Sequence, residues 1–226
     1  MTFLILSQAV PEETLDTLND AIDQLTWRDG KTTAGRTAKK VKENEQADLS
    51  TAAGRALSKA IISALKSHPV FKAAAQPRRI SKLILSKTFG GGRYGAHVDN
   101  ALMGKDTARM RTDLSFTLFL SDPQSYDGGD LTVHLPGYRQ SFKGERGDLI
   151  LYGSSYIHEV TPVTRGQRLA CVGWVESLVA DEAQRNLLFD LENLRASLRP
   201  QLPDGSGEML TLDKSIANLL RMWAKP

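Results

Sequence analysis

The sequence predicts a mainly β protein with flanking helices, an α+β chain whose core is a β-sandwich or jelly roll. Between Ile80 and Glu176 the chain is a succession of short apolar segments, several with the alternating polar and apolar residues of half-buried strands. Asp-Pro, Asp-Gly-Gly and Pro-Gly sequences separate these segments, which is typical of tight turns. On both sides of this region apolar residues recur every three or four positions, so helices are expected at both ends.

The N-terminal part is predicted to hold one strand and two helices. Residues 2–6 form the strand, and Pro11 opens the first helix at its favoured first position. Residues 30–46 are polar and contain two glycines, which predicts a long loop. The second helix begins at Ser50 or Thr51 and ends before His68-Pro69, so His68 is expected to be a helix-end histidine. The apolar stripes of the two helices are Leu15, Leu18, Ile22 and Leu25, and Leu57, Ile61 and Leu65.

The central part is predicted to be β structure. Three successive glycines, Gly90 to Gly92, indicate a bend after the first strand, and Pro136-Gly137 indicates a hairpin. His134 lies in an alternating segment and is expected to pack there, outside any metal site. The expected strands are 80–89, 112–120, 131–135, 138–142, 148–152, 157–163 and 169–176.

After Leu178 the pattern becomes helical again. A helix is expected over 182–198, with Leu187, Leu191, Leu194 and Leu198 as its apolar stripe, and another over 212–223 after a break rich in proline and glycine. The domain organisation predicted is therefore one domain over 1–178, helical to about 79 and β from about 80, followed by a helical extension over 179–226. This extension either covers the β core or forms a subunit contact, so a homodimer is one open possibility.

Composition is that of an ordinary soluble protein, with 41% hydrophobic and 24% charged residues and a net charge of +3 among 226 residues. The most basic run, residues 36–42, is followed by Glu43 and Glu45, which favours a solvated loop over a nucleic-acid site. The single cysteine, Cys171, lies in an apolar segment and is expected in the core. No signal peptide and no apolar run of about 18 residues is visible, so no membrane association and a reducing cytoplasm are expected.

Two histidines and an aspartate have the spacing of a metal site. His97 and Asp99 are two residues apart in an extended segment, so their side chains lie on the same face. His158 follows Asp99 by 59 residues, which is long enough for several strands to fold back and bring it close. Two imidazoles and one carboxylate form the facial triad that leaves open positions on Fe(II) for substrate and oxygen.

Arg168 follows His158 by ten residues, after a short strand and a turn. Its guanidinium could form a bidentate pair with a carboxylate held near the metal. On its strand it alternates in phase with Ala170, Val172 and Trp174, which allows it to point inward. Arg165 is the competing residue, but it precedes Gly166 in the turn and is expected to be exposed.

These residues resemble a known family. His97-Val98-Asp99, His158 and Arg168 fit the pattern of Fe(II)- and 2-oxoglutarate-dependent dioxygenases, and among them the chain is similar to the bacterial PKHD-type hydroxylases, relatives of the prolyl 4-hydroxylase catalytic domain. The segments that share the resemblance are 33–35, 41–46, 94–101, 158–164 and 184–191, so it covers nearly the whole chain.

The resemblance implies a double-stranded β-helix, the cupin-like form of the jelly roll, with the metal inside one open end. It implies that His97, Asp99 and His158 bind Fe(II), and that Arg168, a lysine in the collagen prolyl hydroxylases, binds the distal carboxylate of 2-oxoglutarate. Hydroxylation of a substrate would release succinate and CO2, and L-ascorbate dependence is implied by the family alone. An aromatic residue at the position of Tyr94 lines the site in prolyl hydroxylases. The other residues expected at the pocket are Arg93, Asn100, Met103 and Trp174.

Two other functions remain open at this point. The first is a non-catalytic, iron-responsive binding protein with the same jelly-roll fold. This alternative is retained because the family is associated with bacterial iron uptake. The second is a cupin-type metalloenzyme that does not use 2-oxoglutarate, and such an enzyme would have no need of Arg168. The prime substrate is not determined: a prolyl residue in a protein, a free amino acid, a siderophore-like molecule and another metabolite all fit.

Overall fold

Antiparallel sheets form the core of the protein, as described by a computed structural model for residues 3–33 and 41–225. The strands within this part of the chain are β1 (Phe3–Leu6), β2 (Trp27–Asp29), β3 (Glu45–Ala47), β4 (Pro77–Ile80), β5 (Ile84–Phe89), β6 (Tyr94–His97), β7 (Leu102–Met103), β8 (Met110–Arg111), β9 (Leu114–Phe119), β10 (Asp127–Gly128), β11 (Leu131–Leu135), β12 (Tyr138–Phe142), β13 (Leu149–Gly153), β14 (His158–Val160), β15 (Val163–Arg165) and β16 (Gln167–Ser177). The helices there are α1 (Glu12–Asp23), α2 (Ala52–Ser67), α3 (Pro69–Ala75), α4 (Glu182–Leu198) and α5 (Gly207–Trp223).

The larger sheet is organised around the long strand β16. Its strand order is β1-β13-β9-β16-β5-β3-β2, and β4 pairs with the far end of β16. Every residue of β9 and of β13 is buried, as expected for central strands covered on both faces. The helical N-terminal part covers one face of this sheet, and the opposite face lines the site described below.

The smaller sheet has the order β12-β11-β14-β6. Its β11–β12 hairpin closes at Pro136-Gly137, where Gly137 adopts a φ of +83° that favours glycine. Strand β14 pairs with β6 so that His158 lies directly opposite His97. The hairpin prediction and the jelly-roll prediction are therefore both confirmed, and the smaller sheet carries two of the predicted metal ligands.

The N-terminal helices pack on the larger sheet through one apolar cluster. Leu15 of α1, Leu57 of α2 and Phe71 of α3 are each at most 1% exposed within it. Helix α2 begins where predicted, because the Thr51 hydroxyl accepts a hydrogen bond from the Gly54 amide (3.0 Å). It ends at His68, whose Nδ1 accepts the Phe71 amide and so caps α3. The helix-end assignment of His68 is confirmed.

Three local predictions in the N-terminal half were wrong. Pro11 is the N-cap of α1 and not its first residue, with an extended ψ of 146°. Helix α3 was missed, because seven residues are too few to show a helical period. The strand predicted over 80–89 is divided into β4 and β5 by residues 81–83, where the Ser81 hydroxyl accepts the Trp174 amide of β16.

The segment 30–46 is only partly a loop. Residues 45–47 form β3, which joins the larger sheet together with β2, and neither strand was predicted because each has three residues. Residues 34–40, which include most of the basic run and of the 33–35 segment, lie outside the described part of the chain.

The C-terminal extension is an α4–α5 hairpin with its own small apolar cluster around Val179, Leu188 and Ile216. Helix α4 has the predicted bounds, whereas α5 begins at Gly207, earlier than predicted. The predicted stripe of α4 is its packed face only in part: Leu191 packs against this cluster, but Leu187 and Leu194 are 45% and 47% exposed, and Leu188, which was not predicted, is buried. No helix in the described residues is long and apolar enough to cross a membrane.

Candidate metal centre

The three predicted ligands meet at the edge of the smaller sheet. His97 is the last residue of β6, Asp99 follows two residues later, and His158 begins β14 opposite His97. One ligand atom from each lies within 4.8 Å of the others. Nε2 of His97 is 4.0 Å from Oδ1 of Asp99, and Nε2 of His158 is 3.7 Å from Oδ2. These separations are those of donor atoms arranged about one ion, and not of a directly hydrogen-bonded His–Asp pair.

Backbone carbonyls orient both imidazoles. Nδ1 of His97 lies 2.9 Å from the Gly95 carbonyl oxygen, and Nδ1 of His158 lies 3.1 Å from that of Tyr156. A carbonyl only accepts hydrogen bonds, so each Nδ1 carries the proton and donates it. Each Nε2 is then left with its lone pair facing the other ligands, which is the tautomer that a metal requires.

A hydrogen bond from the larger sheet orients the Asp99 carboxylate. The hydroxyl of Ser115, on β9, donates to Oδ2 of Asp99 at 2.6 Å, and the Ser115 and Ser154 hydroxyl oxygens are 2.7 Å apart. Sequence reasoning missed Ser115, because its contact joins two sheets and leaves no local signal. Asp99 is thus fixed although it lies just beyond the end of β6.

Burial keeps the His97 imidazole neutral. Burial lowers the pKa of His97 to about 4, and the neighbouring His158 contributes in the same direction. The ring of Tyr94 stacks on that of His97 with the centroids 3.7 Å apart, and burial, with a contribution from Asp99, raises the pKa of Tyr94 to about 12. Two imidazoles and one carboxylate are the ligand set that suits Fe(II), and these three residues would hold it with positions left open for substrate and oxygen.

Arg168 lies on β16, facing the same cavity. Its side chain is 2% exposed, and its Nε and Nη2 are buried without a hydrogen-bond partner among the described residues. Burial lowers its pKa, an effect opposed by the hydroxyls of Tyr126 and Tyr152 and by Asp130. A buried guanidinium with two unused donors calls for an anionic partner.

The competing arginine is excluded by its position. The Arg165 side chain is 59% exposed, and its Nε donates to Oδ2 of Asp127 at 2.8 Å. His134 is likewise outside the metal site, because its Nε2 lies 3.0 Å from Glu159. Both predictions are confirmed.

A cavity of about 500 Å³ contains the triad and Arg168. Of the other residues expected at the pocket, Tyr94, Asn100, Met103 and Trp174 line this cavity. Arg93 does not: its side chain is 54% exposed and its Nε lies 4.0 Å from a carboxylate oxygen of Glu43. It immediately precedes Tyr94, and neighbouring side chains of an extended segment point to opposite faces. That prediction is corrected.

Lys42 is a pocket residue that the sequence prediction placed in a solvated loop. It is 5% exposed, lines the cavity, and holds its Nζ 4.9 Å from the centre of the Tyr94 ring. Burial lowers its pKa to about 8, a shift partly offset by Asp99 and Asp29. The signal available was the alternation of Lys42, Asn44 and Gln46, which all line the cavity.

Comparison with known proteins identifies the class to which this fold and site belong. Residues 83–176 match the family model described as the 2OG-Fe(II) oxygenase superfamily, and residues 182–225 match the PKHD-type hydroxylase C-terminal domain. The first range contains the triad and Arg168, and the second contains α4 and α5. The protein is therefore a dioxygenase of the class that uses 2-oxoglutarate and Fe(II).

The relatives define the family more narrowly. A PKHD-type hydroxylase of Hyphomonas neptunium is 45% identical over 221 residues, which are 98% of this chain and 99% of that protein. A PKHD-type hydroxylase of Acidovorax ebreus is 43% identical, over 98% of each chain. The chain belongs to the PKHD-type hydroxylase family. It is an enzyme, an oxidoreductase that hydroxylates, and the two non-hydroxylase alternatives are set aside.

Solved structures agree on the fold. A prolyl hydroxylase of Trichoplax adhaerens, in complex with a hypoxia inducible factor peptide fragment, matches with a TM-score of 0.59 at 16% identity, covering 82% of this chain and 86% of that one. A viral collagen prolyl hydroxylase of Paramecium Bursaria Chlorella virus-1 matches with a TM-score of 0.53 at 15% identity, covering 78% and 96%. At these identities the likeness extends to the architecture alone.

Proposed function

We propose that His97, Asp99 and His158 hold the Fe(II) of this hydroxylase and that Arg168 binds the distal carboxylate of 2-oxoglutarate. The observation that carries the proposal is that three ligand groups and a buried guanidinium with two unused donors share one cavity. The iron, 2-oxoglutarate and O2 together supply the oxidising chemistry, in which one oxygen atom enters a substrate C–H bond and the other enters succinate as CO2 leaves.

The contribution of the chain is orientation and exclusion of water. The carbonyls of Gly95 and Tyr156 hold the two Nδ1–H groups, so both Nε2 lone pairs face the ion. Ser115 prevents rotation of the Asp99 carboxylate. Arg168 is buried on β16 and lines the same cavity as the triad, so a dicarboxylate paired with it would have its opposite end free to extend toward the triad.

Tyr94, Asn100, Met103 and Trp174 line the cavity and would contact the prime substrate. The indole N–H of Trp174 is buried without a hydrogen-bond partner in the described part of the chain, which supports a polar acceptor on the substrate.

Four features complete the proposal. The chain divides near residue 178, which the separate apolar cluster of α4 and α5 supports. The other three features are a cytoplasmic location, L-ascorbate as the reductant, and a homodimer as one possible assembly. The cytoplasmic location suits both Fe(II) and the Cys171 thiol.

An anaerobic ultraviolet–visible titration with Fe(II) and then 2-oxoglutarate tests the assignment. In the wild type a weak visible charge-transfer band is expected only when both are present. Arg168→Ala is expected to need far more 2-oxoglutarate to develop the same band, because the distal carboxylate loses its bidentate partner.

Arg165→Ala is the matched control, since Arg165 lies three residues away, is exposed and pairs with Asp127. It is expected to titrate as the wild type does. A wild type that binds Fe(II) without developing a band on addition of 2-oxoglutarate would contradict the assignment, and so would an Arg168→Ala titration identical to that of the wild type.

A further inference from the structure

A second cavity, of about 1140 Å³, lies beside the pocket, and we call it the α2 cleft. One wall is α2, and the other is formed by β4 and the segment leading from β4 into β5. Its floor is apolar, with Leu49, Ile62, Ile80 and Leu83 among the lining residues. Nothing in the assignment of the iron and 2-oxoglutarate sites uses this cleft.

The α2 cleft adjoins the iron pocket. Gln46 and Ile84 line both cavities. They meet where β3 and β5 separate: the two strands pair only at Glu45–Lys87 and Gln46–Ser86. After β3 the chain leaves β5 and remains next to β2, because the Asp48 amide donates a hydrogen bond to the carbonyl oxygen of Thr26, the residue before β2 (2.8 Å). The cleft lies on the helix-covered face of the larger sheet and the pocket on the opposite face, so a substrate that occupied both would have to pass between Gln46 and Ile84.

The rim of the cleft is strongly cationic. Five basic side chains line it against the single acidic side chain of Asp48, which pairs with Arg28 at 2.9 Å. Among residues 3–33 and 41–225, no acidic side chain pairs with Lys59, Lys66 or Lys82 within ion-pair distance. The basic residues of the rim are Arg28, Arg55, Lys59, Lys66 and Lys82.

The cations on α2 form a row along the cleft. Arg55, Lys59 and Lys66 are separated by four and seven residues, so they lie on one side of the helix. At about 1.5 Å per residue the row is roughly 16 Å long. An extended peptide covers that distance with about five residues, at about 3.3 Å each. Inside the pocket, Lys42 adds a further buried cation on the same side as Gln46.

We propose that the prime substrate is an acidic peptide segment: the residue to be hydroxylated enters the pocket, and its acidic flank lies along the α2 cleft. An apolar floor with a cationic rim suits a chain in which apolar and acidic side chains alternate, because the extended backbone sends them to opposite sides. A single-stranded nucleic acid fits less well, since none of the described residues lining the cleft is aromatic and bases would have no stacking partner. This inference rests on the proposed function of the iron pocket.

The test uses the full chain loaded with Fe(II) and 2-oxoglutarate and three pools of nonapeptides. All pools share the same apolar residues, and their remaining positions are filled with Asp and Glu, with Lys and Arg, or with Ser and Asn. Succinate formation is measured with each pool, with single-stranded RNA, with a small polycarboxylate and without peptide, and peptides that gain the mass of one oxygen atom are identified. Peptide-free succinate formation in the wild type tests the proposed function separately.

The acidic pool is expected to stimulate turnover, and the other two are not. In Lys59→Glu/Lys66→Glu the acidic pool is expected to need about tenfold higher concentration for half-stimulation, and the basic pool is expected to become a stimulator. A misfolded variant would not acquire that new preference. Lys72→Glu/Lys214→Glu changes charge equally at exposed lysines that line neither cavity, and it should behave as the wild type does.

Three results would overturn the proposal while leaving the iron assignment intact, provided that peptide-free succinate formation is seen. They are equal stimulation by all pools, an acidic-pool response unchanged in Lys59→Glu/Lys66→Glu, and stimulation by single-stranded RNA or a small polycarboxylate instead of peptide.

Discussion

The Ser115 hydroxyl, on the larger sheet, donates a 2.6 Å hydrogen bond to Oδ2 of Asp99, which follows the last residue of β6 on the smaller sheet. The carboxylate that completes the triad is therefore set by a contact between the two layers of the jelly roll. Ser154, whose hydroxyl oxygen is 2.7 Å from that of Ser115, extends the contact into the end of β13. Metal affinity should depend on this chain of hydroxyls, because an unheld carboxylate rotates among several orientations.

Ser115→Ala is expected to weaken Fe(II) binding by roughly tenfold to a hundredfold, the usual effect of losing a group that orients a metal ligand. Anaerobic Fe(II) titration of the purified protein measures the change. Ser197→Ala, on the exposed side of α4, removes a hydroxyl that bonds only to the Leu194 carbonyl and is expected to leave the affinity unchanged. Equal affinity in the two variants would contradict the role given to Ser115.

Gly129→Ala is expected to raise the KM for 2-oxoglutarate by about tenfold. Gly129 has a φ of +69°, and a Cβ there would lie 2.9 Å from Cδ of Arg168, so the guanidinium must shift. Gly137→Ala is the control, because it imposes a comparable φ penalty at +83° with nothing within 4 Å of the added carbon. Both variants are expected to lose about 1–2 kcal/mol of unfolding free energy, but only Gly129→Ala should change the KM.

Glu176 should make stability depend on acid pH. It is 2% exposed and accepts bonds from Arg79 and from Arg78 at 3.3 Å. Burial raises its pKa, but the hydrogen bond from Arg79 and the charges of Arg79, Arg111 and Arg78 outweigh burial and hold the pKa below its usual 4.5. Because the folded-state pKa is depressed, the stabilisation is complete above about pH 4.5 and is lost as the pH falls through the folded-state pKa.

Glu176→Gln is accordingly expected to lower the unfolding free energy by about 1.5–3 kcal/mol at pH 7, and the difference from the wild type should shrink below pH 4.5. Urea unfolding at several pH values measures it. Glu208→Gln, in the first turn of α5, provides a control without a salt bridge to any described residue. A difference for Glu176→Gln that persists undiminished at the lowest pH would contradict the ionic origin of the effect.

Cys171 is expected to resist thiol reagents in the folded protein. It is fully buried in β16, and burial raises the pKa of its thiol to about 12, so almost no thiolate is present at neutral pH. A dithiobis-nitrobenzoate reagent should release no colour from the native protein and one equivalent per chain in denaturant. Rapid labelling of the native protein would show that β16 opens readily.

The candidate metal ligands and Arg168 could be predicted from the sequence because their spacing forms short motifs. The spacing of His97 and Asp99 places both on one face of a strand, and the inward phase of Arg168 follows from the same two-residue period. The unused guanidinium donors of Arg168 and the exposed position of Arg165 agree with that reasoning. The strands of the core were found from alternation, as in residues 112–120, and from short apolar runs between turn residues, as in residues 148–152.

Other features were decided only by tertiary structure. Lys42 is the last residue of a basic run whose charge predicts a solvated loop, yet it is buried, because β3 joins the sheet and turns alternate residues of its approach into the cavity. On α4 the leucine stripe predicted the packed face only in part, since Leu188 and Leu191 pack in the cluster with α5 whereas Leu187 and Leu194 are exposed. Ser115 and the α2 cleft have no local signal at all, because each is formed by segments distant in sequence.

The sequence by itself thus determined the proposed ligand set and arginine, the β core and the helical ends of this hydroxylase. Only the tertiary structure decided which other side chains line the cavity with the proposed ligands and Arg168, and that the α2 cleft lies beside this cavity. The physical reason is that backbone periodicity is a property of neighbouring residues, whereas burial depends on which distant surface covers a face.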